Sequence, residues 1–164
     1  MNPSLPRIVL MMMLMLIAGC SSKGEINTPK AEPSRGKEIT LQAMTISQVK
    51  NNIMGACSAH RLQIHTSKDE VTCAQNDISG SRKRDLERFV NDEYATNIQI
   101  VTQFKLTELV TDINIAANIY TQYLAPVSVM SGPQTRTKNL IDDISFNEMS
   151  GLLEQAANNG KSFK

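Results

Sequence analysis

The chain has 164 residues, about one domain's worth, with 41% hydrophobic residues and a net charge of +1 from 17 basic and 16 acidic side chains. The near-balance of charge excludes a polyanion binder working through bulk electrostatics, so no nucleic-acid partner is expected, and the apolar content excludes a wholly disordered tail. Aromatics are 4% with no Trp, which argues against base-stacking or sugar-stacking platforms.

In chain order, Arg7 supplies a thin positive region and Ile8 to Ile17 is an unbroken apolar run. As a helix this run spans about 15 Å, half of a ~30 Å hydrocarbon core. It is too short for a transmembrane helix and suits the core of a signal peptide. Ile17-Ala18-Gly19-Cys20 follows, and it resembles the lipobox of bacterial lipoproteins, with Ile17 where the family usually has Leu. The resemblance covers residues 1–20. It implies diacylglycerol on the Cys20 sulfur, cleavage before Cys20 and acylation of the new amine, hence attachment to a membrane through lipid. Ser21 after the Cys, in place of Asp, implies sorting to the outer membrane with the rest of the chain facing the periplasm. The competing reading is an ordinary secretory signal with a chance Cys.

Residues 21–37 are rich in Pro, Ser, Gly and charge, and Ile26 is their one large apolar side chain. They read as a flexible tether. The expected organisation is a signal peptide over 1–19, a lipidated Cys and tether over 20–37, and one periplasmic domain over 38–164.

Within that domain Ile39, Leu41 and Ala43 alternate with polar residues, as in a strand. Thr45-Ile46-Ser47-Gln48 has capping-box spacing and opens a helix over Ile46–Ala59, with Val49, Ile53, Ala56 and Cys57 inward. Gly55 inside that helix suggests a close helix–sheet contact. A hairpin is predicted over 61–66 and 70–75, with Leu62, Ile64, Val71 and Cys73 inward, and then a helix over Arg82–Tyr94.

The strongest strand signals follow. Ile98, Ile100, Phe104 and Leu106 share one parity, opposite Asn97, Gln99, Val101, Gln103 and Lys105. After a turn centred on Leu109-Val110, Ile113, Ile115, Ala117 and Ile119 alternate with Asp112, Asn114, Asn118 and Gln122. That turn pairs Leu106 with Ile113 and Phe104 with Ile115. Pro126–Lys138 reads as a loop. Ser145-Phe146-Asn147-Glu148 reads as a second capping box, opening a helix that Asn159-Gly160 ends. The order β-α-β-β-α-β-β-α predicts an α+β two-layer sandwich, an antiparallel sheet with helices on one face.

Cys57 and Cys73 both fall on inward phases of their elements, and a disulfide is expected in an oxidising compartment. Cys57, His60, His65 and Cys73 together have a superficially zinc-like composition. But His65 has the parity opposite to Ile64, so the four ligands would have to converge from opposite faces, and no metal site is expected. Arg82-Lys83-Arg84 is a basic cluster at a helix start. It reads as a solvated helix end, with an acidic docking partner as the alternative. Asp92-Glu93 and Asp142-Asp143 are adjacent carboxylates, and neighbours on a helix do not face each other. No nucleophile elbow, zinc-protease motif or phosphate loop occurs, and neither an enzyme nor a cofactor is expected. The expected function is a non-enzymatic binding or assembly module of the cell envelope with an envelope protein as partner. The alternative is a carrier or sensor of a small amphiphile held between sheet and helices. The candidate interaction face is the polar side of the sheet: Gln99, Gln103, Asn114, Asn118 and Gln122, with Tyr120 as its anchor.

Overall fold

The computed structural model describes residues 35–126 and 132–159. The expected signal peptide, Cys20 and residues 21–34 of the expected tether lie outside the described residues. The elements are β1 (Lys37–Gln42), α1 (Ile46–Ala59), β2 (Gln63–Thr66), β3 (Glu70–Gln75), α2 (Gly80–Val90), β4 (Thr96–Glu108), β5 (Asp112–Pro126), β6 (Pro133–Asn139) and α3 (Asp143–Asn159). Six antiparallel strands and three helices form an α+β two-layer sandwich.

The strand order is β1-β5-β4-β3-β2, and β6 also pairs with β5. β1 runs along residues 112–117 of β5 and β6 along 120–126, so the two lie end to end on one side of it. Each central strand has one apolar parity. Ile113, Ile115, Ala117 and Ile119 are at most 2% exposed, while their neighbours on β5 are only partly buried. Val49, Ile53, Ala56 and Cys57 of α1 and Met149, Leu152, Leu153 and Ala156 of α3 close over that parity. Leu86 joins the same core, and Val90 packs with Tyr123 and Ala125, so α2 lies on the same side. Burying a side chain such as Phe104 contributes about 1.5–3 kcal/mol.

The Thr45 capping box forms as its spacing predicts. The Thr45 hydroxyl accepts from the Gln48 amide, and the Gln48 side chain accepts from the Thr45 amide at 2.9 Å. Four expectations need correction. β6 occupies residues 133–138 of the segment read as a loop. Its side chains, Gln-Thr-Arg-Thr-Lys-Asn, offer no hydrophobic alternation, so its pairing with β5 is invisible to periodicity.

The β4–β5 register is Leu106↔Ile115 and Phe104↔Ala117. The turn centre lies one residue further on than predicted, with the Leu109 amide bonded to the Asp112 carbonyl at 2.8 Å. A one-residue move of the turn is a two-residue slip in register, so every side chain keeps its expected face.

The second helix spans Gly80–Val90, not Arg82–Tyr94, because Asn91 takes the left-handed conformation that ends it. The third helix starts at Asp143. Asp142 caps it, accepting from the Ser145 amide at 2.9 Å and the Ser145 hydroxyl at 2.7 Å, which makes Ser145 a fully buried first-turn residue and not the cap.

Candidate functional site

The face of the sheet away from the helices is a ladder of neutral polar side chains. Its rungs follow from register. His65, Thr72, Gln103 and Asn118 lie side by side on β2, β3, β4 and β5. The next rung is Gln63, Ala74, Val101, Tyr120 and Asn139, and Gln99, Gln122 and Thr137 form a third. Asn114 sits opposite Thr40 nearer the β4–β5 turn. The structure therefore brings Gln99, Gln103, Tyr120, Asn118 and Gln122 together on adjacent strands, and sets Asn114 beyond Ala116.

Tyr120 lies centrally. Beside it Val101 is 1% and Ala74 5% exposed, although both belong to the polar parity. Within the middle rung Val101 and Ala74 thus form a small buried apolar spot beside half-buried Tyr120. Burial pushes the Tyr120 phenol above its ordinary range, and the Glu70 carboxylate adds to the shift. The phenol stays neutral and keeps its proton to donate. Charge on this face gathers in a separate rung, Glu70, Lys105 and Glu38, with Ala116 between the last two.

Thr72, Val101, Ala74 and Thr137 were not singled out from sequence. Val101 lies on the parity already read as polar, but Thr72 and Ala74 could not be set beside it, because no periodicity gives the pairing of β3 with β4. Nor could Thr137, because β6 shows no hydrophobic period.

On the helix side the sulfurs of Cys57 and Cys73 lie at disulfide distance, with Cα atoms 6.1 Å apart. His60 caps the C-terminus of α1 and its Nε2 lies 3.2 Å from the Gln155 Oε1 of α3. His65, paired with Thr72, is on the opposite side of the sheet. The two histidines and two cysteines therefore do not converge. Among the described residues no group of three or more His, Cys, Asp or Glu side chains is arranged to hold a metal.

The basic cluster divides. Lys83 and Arg84 are exposed, whereas Arg82 turns inward to Asp142 at 3.3 Å, to the Ser145 hydroxyl and to Glu148 at 3.7 Å. It ties α2 to the start of α3. Its countercharge comes from residues some sixty positions away, whereas the nearby Asp85 pairs with Arg88 at 3.7 Å. The adjacent carboxylates likewise serve separate partners: Asp142 holds Arg82, Asp143 holds Arg35, and Asp92 lies 3.7 Å from Arg136. Lys138 donates to the Phe89 carbonyl near the C-terminus of α2 at 2.6 Å and lies over the Phe89 ring, where a helix dipole favours a cation.

Comparison with protein-family models, with curated proteins and with solved structures finds no match to this chain.

Proposed function

We propose that the protein is an outer-membrane lipoprotein, anchored through acylated Cys20, whose periplasmic domain is a non-enzymatic binding module of an envelope assembly. The observation that supports this reading is the amide ladder around Tyr120, a broad sheet face that none of the described helices covers. An uncharged lattice of Gln, Asn and Thr exchanges water for a protein surface without the desolvation cost of Lys or Glu. Tyr is a favoured anchor at the centre of such contacts. The lipobox supplies the address, and a tether raises the local concentration of the domain near its partners.

The test is in-cell photocrosslinking. A photoreactive residue placed at Gln103 or Gln122 should give the same protein adduct, while one at Asn51, exposed on α1, should give none. Tyr120→Ala should remove the adduct without lowering the protein's abundance. Adducts that survive Tyr120→Ala, or that form equally from Asn51, would sink the assignment of this face.

A further inference from the structure

The chain joins the domain in a fixed way. Arg35 is ion-paired with Asp143 and its guanidinium lies 4.3 Å from the centroid of the Phe146 ring, while Lys37 binds Glu154 at 2.8 Å. Between them Gly36 passes so close to β5 that an added Cβ would sit 3.1 Å from the Ala117 carbonyl oxygen and 2.6 Å from the Asn118 Oδ1. Arg35, just before β1, is therefore strapped to the first turn of α3, and Lys37, which opens β1, to the C-terminal half of the same helix.

Two of the five most exposed large apolar side chains of the described residues stand at that same point. Ile141 is 56% and Ile144 60% exposed, on either side of the Asp142-Asp143 pair. Each carboxylate of that pair already holds an arginine, Asp142 with Arg82 and Asp143 with Arg35. The result is a small apolar, charge-compensated prominence beside the place where the chain departs toward Cys20.

We propose that Ile141 and Ile144 form a membrane-contact site that sits in the interface of the bilayer carrying the acylated Cys20. This rests on the lipoprotein reading above. Two isoleucines alone would hold a free protein only weakly. The tether changes the arithmetic, because contact becomes intramolecular at an effective concentration on the order of millimolar. Residues 21–34 reach at most about 50 Å when extended, so the strapped end of the domain is held within that distance of the lipid. Since the neighbouring charges are compensated, the contact is apolar in origin and salt should not release it. The amide ladder lies on the far side of the sheet from α3 and stays open to a protein partner, so the two surfaces are separable.

The experiment uses the acylated chain purified from membranes and placed in vesicles of phosphatidylethanolamine and phosphatidylglycerol. Because Cys57 and Cys73 pair with each other, a nitroxide attaches selectively to Ile144→Cys or, as a reference, Asn51→Cys. The label at 144 should show a several-fold loss of collision with a water-soluble nickel complex relative to the label at 51, unchanged in high salt. Ile141→Asp should restore collision at 144 while palmitate labelling and vesicle binding persist. Equal nickel access at 144 and 51 in vesicle-bound, acylated protein overturns the contact site and leaves the lipoprotein reading standing. Protein without palmitate label and free of the vesicles overturns both.

Discussion

Asp142 links sequence-local capping to long-range packing. Burial acts to raise its pKa, but the amide and hydroxyl of Ser145, together with Arg82, outweigh burial and hold the carboxyl below its ordinary 3.8. A depressed folded-state value means the stabilisation is present above the unfolded pKa and is lost as pH falls through the folded one. The loss therefore begins near pH 4 and continues below it. The side chain is 41% exposed, so solvent screens the ionic part and the cap itself carries most of the effect, about 1 kcal/mol. Asp142→Asn should keep the cap, lose the charge and flatten the acid limb of a stability–pH curve. Asp142→Ala should lower the urea midpoint by an amount worth about 1 kcal/mol at neutral pH. An Asp142→Asn curve that falls as steeply as wild type below pH 4 would remove this residue from the acid response.

At the scale of elements, the helices carry both slack and a staple. Gly55 and Gly151 sit in the interiors of α1 and α3, both exposed, and a Cβ at either would meet nothing within 4 Å. The close contact the sequence suggested at Gly55 is absent because that position lies about 200° round the helix from Ile53, away from the buried stripe. Gly55→Ala and Gly151→Ala should each stabilise by about 0.5–1 kcal/mol, read as a raised urea midpoint at unchanged slope. The Cys57–Cys73 link works in the opposite sense. It closes a separation of 16 residues between α1 and β3, and losing it should cost about 2–5 kcal/mol. Protein isolated without reductant and then denatured should show no free thiol at Cys57 or Cys73; finding two would break the assignment.

These elements also mark how far the sequence could be read. Where burial is one-sided, as in α1, β4 and β5, hydrophobic period placed the faces, and the two inward phases paired the cysteines. Where an element has no apolar face, as in β6, only pairing with β5 defines it. Ser145-Phe146-Asn147-Glu148 satisfies the capping pattern, yet Asp142 is the stronger cap three residues upstream, so the motif pointed one turn late. The open face was legible as a parity, and Tyr120 as its aromatic member. The burial of Val101 and Ala74 was not, since the parity of a single strand marks both positions as outward.

For the whole molecule, the proposed lipid anchor at Cys20 would decide what the domain's surfaces can meet. An acyl chain contributes about 0.8 kcal/mol per buried CH₂; one chain binds a bilayer marginally, whereas several hold it stably. On the proposed lipoprotein reading, the run from Ile8 to Cys20 puts that chemistry one tether length ahead of the strap at Arg35 and Lys37. Anchoring and folding are therefore separable by mutation. Cys20→Ala should abolish palmitate labelling and the mass shift of processing, and it should move the protein out of the membrane fraction. The same variant should keep the urea midpoint of the domain, because Cys20 precedes every described contact. Ser21→Asp should leave labelling intact and shift the protein from outer to inner membrane on density-gradient fractionation. If wild type takes up no more palmitate than Cys20→Ala, the address fails, and the open sheet face must be assigned to whichever compartment then contains the chain.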